Sequence, residues 1–372
     1  MQSRGRDAAP DGGQGSLEVF KRLKETRHEQ VVFFRDPNAG LRAIVAVHST
    51  VLGPAIGGVR MSEYADEDAA IEDALILSRA LTYKAACAGV NLGGGHTVVV
   101  GDPRKHRTEA LFRSLGRFID SLNGRYIAAE GVGTTVEDMD YIRMETKYVV
   151  GIPSSKGGSG DPSPVCAFGV FRGLEACEIF LSGGDDITGL HVAVQGAGRV
   201  GSRIVDMLVA RGATATIADP DPEAVARVTA KHPVSVVAPD EIYDVACDVF
   251  SPCAMGGILN DDTIPRLRCK VVAGSANNQL AEERHGADLH RRGILYAPDY
   301  IINSGGLINV TEEIPGYDRE RAMRKAAGIR DVLLTVLNSA RDNAIPTYEA
   351  ADRFAEERIE RVGRVRRSYL AS

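Results

Sequence analysis

The chain has no surplus of positive charge: 44 Lys and Arg stand against 50 Asp and Glu, a formal net charge of −6. Binding to a phosphate backbone needs a basic excess, so no nucleic-acid partner is expected. No apolar run approaches the ~20 residues that span a bilayer. The N-terminus also lacks the short apolar stretch of a secretory signal. The expectation is a cytoplasmic protein with no membrane partner. Paired cysteines are missing as well. Cys87, Cys166, Cys177, Cys247, Cys253 and Cys269 are scattered, without a CxxC pair or a histidine at ligand spacing. Neither a disulfide framework nor a metal site is expected, and most of these thiols read as small buried hydrophobes. No internal repeat or low-complexity array interrupts the chain.

Glycine is the conspicuous surplus, 40 of 372 residues, and it implies many tight turns and close backbone approaches. The length exceeds what one hydrophobic core usually organises and points to two domains. Apolar residues make up 44% and charged residues 25%, the balance of an ordinary soluble enzyme. Residues 1–16 carry no apolar period and read as a flexible tail. From Leu17 a short amphipathic helix is expected, then strands at 31–36 and 41–50, a helix at 67–81, a turn at Gly93-Gly94-Gly95, a strand at 96–100, a helix at 108–122 and a strand at 126–130. Residues 151–164, GIPSSKGGSGDPSP, concentrate turn formers and mark a domain junction. After a helix to about Phe180, strands at 191–195, 213–217, 247–250, 270–274 and 294–297 alternate with helices at 199–211 and 222–231. That alternation argues an α/β fold with a parallel sheet. From Arg319 the pattern is helical, with Pro346 as a break.

One motif carries chemistry by itself. Gly196-Ala197-Gly198-Arg199-Val200-Gly201 follows an apolar run and opens a helical pattern. The first glycine permits a tight turn, the second lets backbone approach a pyrophosphate, and the third lets helix and strand pack closely. Asp219 ends the next strand, where a carboxylate accepts hydrogen bonds from both ribose hydroxyls and repels a 2′-phosphate. The expected cofactor is NAD rather than NADP.

Longer stretches carry a resemblance: GPAIGGVRM at 53–61, TYKAACAG at 82–89, NLGGG at 91–95, VGDPRK at 100–105, NGRYIAAE at 123–130, GSANNQL at 274–280 and YAPDYIINSGG at 296–306. Through them nearly the whole chain resembles the Glu/Leu/Phe/Val amino-acid dehydrogenase family, especially its bacterial valine and leucine members. The resemblance implies an α/β substrate-binding and oligomerisation domain at 17–150, with helices of 340–372 packing back on it. It implies a Rossmann-type NAD domain at 151–339, a deep cleft between the two, and a homo-oligomer. Lys84 then anchors the substrate carboxylate, with Asn278 in support. Ile56, Ala129, Leu307 and Val310 form an aliphatic pocket beside Gly57 and Gly58, and Cys166 and Asn303 contact the cofactor.

Three positions depart from the pattern that the resemblance implies. His96 stands where the family has a catalytic lysine, Gly131 where it has a catalytic aspartate, and Cys166 where a threonine helps hold the nicotinamide amide. Imidazole can share acid/base work because its ordinary pKa is about 6.5. Glycine supplies no proton-transfer group, and Glu130, adjacent on a strand, is expected to face the other way. A thiol is a weaker hydrogen-bond partner than a hydroxyl, although beside a cofactor it can be reactive. The expected function is an NAD-dependent oxidoreductase acting on the CH–NH2 or C=N bond of a small apolar amino acid, or the related imine or keto acid, with His96 as acid/base. The alternative is a catalytically silent relative that binds NAD or an amino acid as a sensor or partner subunit. If the scaffold is a dehydrogenase, restoring His96→Lys and Gly131→Asp together is expected to raise activity.

Overall fold

Two sheets, each covered by helices on both faces, organise the computed structural model, which describes residues 18–370. The tail expected at 1–16 lies outside the described residues. The first half runs α1 (Val19–Thr26), β1 (Gln30–Asp36), β2 (Leu41–Ser49), β3 (Ala55–Ser62), α2 (Glu67–Cys87), β4 (Gly93–Val100), α3 (Glu109–Ser121), β5 (Tyr126–Glu130) and α4 (Val136–Arg143). Its strands lie in the order β1-β2-β4-β3-β5, antiparallel across β1-β2-β4 and parallel across β4-β3-β5. Strand alternation sends Val45, Val47 and Val99 towards α3 and α4, and Ile44, Ala46 and Val98 towards α2. On α2, Ile71 and Leu75 face that second side and are buried. Burial of such a side chain is worth about 1.5–3 kcal/mol.

The second half runs α5 (Ser163–Ser182), β6 (His191–Gln195), α6 (Gly201–Ala210), β7 (Thr214–Ala218), α7 (Pro222–Thr229), β8 (Ser235–Val236), β9 (Val249–Pro252), β10 (Val271–Val272), α8 (Arg284–Arg291), β11 (Leu295–Tyr296), α9 (Asp299–Ile302), α10 (Gly305–Thr311), α11 (Arg319–Ala327), α12 (Ile329–Asn343) and α13 (Thr347–Leu370). Its strands pair in parallel in the order β11-β10-β9-β6-β7-β8. This is the doubly wound α/β arrangement, with the strand order reversing beside β6. α13 returns to α2: Glu356 accepts the Tyr83 hydroxyl at 2.8 Å, and the Arg358 guanidinium donates to the carbonyls of Ala86 and Val90 at 3.2 and 3.0 Å. The Arg358 contacts add to the Gly89 N–H that the Ala86 carbonyl already accepts at 3.3 Å and tie the end of α2 to α13. Among the described residues, no helix is long and apolar enough to cross a membrane.

Several local expectations need correction. The helix expected to stop at Leu81 continues to Cys87, so Lys84 sits on its last turns and not after it. The alanine-rich run and the cap from Arg358 sustain it. The triple glycine is not a turn but the opening of β4. A Cβ on Gly93 would lie 1.8 Å from the Ser49 carbonyl oxygen, and one on Gly94 2.2 Å from the Thr82 nitrogen. Glycine is required there for close packing inside a strand. Residues 55–62, read only as part of a motif, form β3, an interior strand between β4 and β5.

Candidate active site

Residues from both halves line one cavity of about 590 Å³. β3 contributes Ile56, Gly57, Gly58 and Arg60; α2 contributes Leu77, Leu81 and Lys84; β4 contributes His96; and the end of β5 contributes Ala129 and Glu130. From the second half come Cys166, Arg199, Asn277, Asn278, Asp299, Asn303, Leu307 and Val310.

At one end Lys84 Nζ donates to Asn277 Oδ1 at 2.9 Å, and the same oxygen accepts from Asn303 Nδ2 at 2.9 Å. The lysine's hydrogen-bond partner is Asn277, the neighbour of the expected Asn278. Asn278 lies in the left-handed region (φ 48°), lines the same cavity and accepts the Gly257 N–H on its carbonyl at 2.7 Å. Burial lowers the Lys84 pKa, and the nearby Asp299 opposes that shift. Burial raises the Asp299 carboxyl, which accepts the backbone N–H groups of Gln279 and Tyr300 at 3.0 and 2.8 Å. A half-buried lysine facing a cavity is a receptor for a carboxylate. Beside it Ile56, Ala129, Leu307 and Val310 pack in one aliphatic cluster that also forms the cavity wall.

The floor differs from expectation. His96 is 6% exposed and lines the cavity, yet neither ring nitrogen has a hydrogen-bond partner among the described residues. Burial, helped by the Arg60 charge, pushes its pKa down to about 3, far below the ordinary value on which the acid/base expectation rested. His96 is thus a neutral imidazole, one nitrogen a donor and the other an acceptor. Gly131 departs further. A Cβ there would lie 2.6 Å from the Val59 carbonyl oxygen, 2.8 Å from its carbon and 3.0 Å from its nitrogen. The turn after β5 is held on that strand, because Thr134 Oγ1 donates to the Val59 oxygen at 2.9 Å. An aspartate cannot be reinstated without moving backbone. Glu130, expected to face away, lines the cavity instead, with its carboxylate 4.0 Å from the Arg199 guanidinium. β5 ends at Glu130, so strand alternation does not carry into the turn.

The cofactor end follows the glycine logic residue by residue. Gly196 has φ 99°, nothing lies within 4 Å of a Cβ on Gly198, and a Cβ on Gly201 would sit 1.9 Å from the Gly196 oxygen. Asp219 Oδ2 accepts the Ala197 N–H at 2.7 Å, which holds its carboxylate beside the turn. Asn303, 4% exposed, has an unpartnered Oδ1 able to accept from an amide N–H. These features fit a dinucleotide. Cys166 lies on the first turn of α5 with its thiol 3.9 Å from the Asn303 carbonyl oxygen. Burial pushes that thiol up to about 11, so it is not a reactive thiolate. Of the six cysteines only Cys87 and Cys177 are fully buried, fewer than expected. Elsewhere Asp261, His285 and Asp288 cluster. There His285 Nδ1 accepts the Glu282 N–H at 2.9 Å, so Nε2 of the neutral ring carries a proton and offers no lone pair to a metal.

Sequence reasoning singled out Lys84, His96 and the glycines but missed Asn277, Asp299, Arg60 and Arg199. Asn277 and Asp299 stood within quoted motifs, and Arg199 within the glycine pattern itself.

Comparisons with known proteins agree with this geometry. The profile described as "Glu/Leu/Phe/Val dehydrogenase, dimerisation domain" matches residues 28–148. That of "Glutamate/Leucine/Phenylalanine/Valine dehydrogenase" matches 220–361. Leucine dehydrogenase of Thermoactinomyces intermedius is 54% identical over 354 residues, covering 95% of this chain and 97% of the relative. Phenylalanine dehydrogenase of Caldalkalibacillus thermarum is 47% identical over 94% of this chain and 95% of the relative. The crystal structure of L-tryptophan dehydrogenase from Nostoc punctiforme superposes with a TM-score of 0.80 at 43% identity, over 92% of this chain and 99% of that one. The chain belongs to the Glu/Leu/Phe/Val dehydrogenase family. It is an amino-acid-dehydrogenase-like oxidoreductase.

Proposed function

We propose that the protein is an NAD-dependent oxidoreductase acting on the C–N bond of a small apolar amino acid, or on the related imine or keto acid. The observation that carries this reading is the Lys84–Asn277–Asn303 hydrogen-bond chain, open to the cavity at Asn277 and buried at Asn303, beside an aliphatic wall and facing a dinucleotide-type glycine turn. Lys84 binds the substrate carboxylate and the wall selects a compact side chain. The glycine turn at Gly196–Gly201, with Asp219 beside it, would hold NAD, which when bound would supply the hydride-accepting or hydride-donating chemistry. His96, neutral at a pKa of about 3, can turn one ring nitrogen to the reacting group, as donor or acceptor according to its tautomer. With no acid at position 131, activation of water is the weakest step, and a preformed imine, which needs none, is the favoured substrate form. Asp219 favours NAD over NADP.

The domain division at about residue 150, a homo-oligomer built through the first domain and a cytoplasmic location complete the proposal. The name of the matched profile, a dimerisation domain, supports the oligomer. The second reading is a silent NAD- or amino-acid-binding sensor or partner subunit. In its favour, His96 and Gly131 offer no group that titrates near neutrality. Purified protein with NAD and a panel of amino acids, or NADH with imines and keto acids plus ammonia, followed at the nicotinamide absorbance, decides between them. Turnover is expected; binding without any absorbance change supports the silent reading.

A further inference from the structure

The fourth residue of the glycine turn, Arg199, reaches across the cleft. Its guanidinium lies 4.0 Å from Glu130 at the end of β5 and 4.0 Å from Asp161 in the junction before α5. The two carboxylates are held very differently. Asp161 has further partners: Arg203 at 3.3 Å and the N–H of Ser163 at 2.9 Å. For Glu130, Arg199 is the only cation within ion-pair distance among the described residues. At 4.0 Å, with the arginine side chain 69% exposed, the pair is weak and easily exchanged. The same arginine stands at the start of α6, whose N-terminus has no side-chain cap, beside the open space over Gly198. A pyrophosphate there offers two negative charges to a planar donor suited to them.

We propose that Arg199 is a cofactor-responsive switch: it pairs with Glu130 and Asp161 in the structure, moves to the pyrophosphate when a dinucleotide binds, and leaves Glu130 as the proton-accepting carboxyl of the cleft. The proposal rests on the dinucleotide reading of the glycine turn. It gives the floor an acid beside the glycine where the family resemblance puts one. The groups facing Glu130 are Arg199, Asp161 and Asp138, with neutral His96 lining the same cavity. Burial already holds the Glu130 pKa above its ordinary value, with Arg199 opposing the shift and the two aspartates reinforcing it. Loss of Arg199 raises it further, so dinucleotide binding is accompanied by proton uptake. Arg199 acts here as a positioning residue.

Calorimetry of NAD binding to the full chain near pH 6, in buffers of different ionisation enthalpy, tests this. The wild type is expected to take up part of a proton on binding. Glu130→Gln should abolish the uptake while binding NAD as tightly or a few-fold more tightly, because nothing then competes for Arg199. Arg199→Gln should weaken NAD about tenfold or more and also lose the uptake, with adenosine binding unchanged and Arg199→Lys partly restoring NAD affinity. Uptake persisting in Glu130→Gln, or NAD affinity unchanged in Arg199→Gln, overturns the switch. Failure of the wild type to bind NAD overturns the dinucleotide reading itself, and the two failures are told apart in the same titrations.

Discussion

The glycine turn at 196–201 and the floor around His96 and Gly131 both depend on glycine, but in opposite senses. In the turn, each glycine answers a requirement of a ligand or of strand-to-helix packing. In the floor, Gly131 answers only the packing of a turn on β3, at a position where the family resemblance puts a catalytic acid. One region thus holds an open backbone cradle, while in the other the backbone packs so closely that no side chain fits.

The contrast is broken most forcefully at Gly201. Gly201→Ala places a Cβ 1.9 Å from the Gly196 oxygen and should both destabilise the domain and abolish NAD binding, whereas Gly198→Ala, in open space, should leave the melting temperature unchanged and weaken NAD only. Thermal melts with calorimetry separate the two. Next in size is Gly131→Asp, expected to cost about 1–3 kcal/mol by overpacking against Val59. Combined with His96→Lys it should give no gain in amino-acid oxidation, contrary to what sequence alone suggests; a gain would mean the turn after β5 shifts freely. Lys84→Ala should weaken carboxylate ligands by about 1.5–3 kcal/mol and leave NAD affinity unchanged, and equal loss of both would make Lys84 a structural residue.

A smaller effect concerns pH. His96 and His48 are pushed down to about 3 and His28 to about 4, each chiefly by burial. Unfolded imidazoles bind protons near their ordinary pKa of about 6.5, so the unfolded chain gains protons that the folded one refuses. Stability is full above that value and falls as pH drops from about 6.5 towards 3–4. Urea midpoints between pH 7 and 4.5 should show this decline, less steeply in His96→Gln. Smallest is Asp219→Ala, which should narrow the preference for NAD over NADP, as read by their dissociation constants.

The sequence made the second half legible because its signals are local: the glycine spacing sets the turn, and β6 runs over the residues that its apolar pattern marked. The first half was harder. β3 was hidden by Gly57 and Gly58, whose lack of side chains masks strand alternation although a Cβ on Gly57 would lie 1.7 Å from the Gly95 oxygen. Lys84 was found from its motif, but its partner Asn277 is fixed by a contact across the cleft that adjacent asparagines cannot disclose. The inward turn of Glu130 depends on where β5 stops, which periodicity does not resolve. The neutrality of His96 comes from burial beneath α2, a property of packing rather than of the residue.

The most direct test follows NADH oxidation by the purified protein with a preformed imine of a compact aliphatic keto acid, beside the same keto acid with ammonia. Turnover is expected, faster with the imine and lost in Lys84→Ala. NADH binding that is clear by calorimetry but accompanied by no oxidation with either substrate would contradict it.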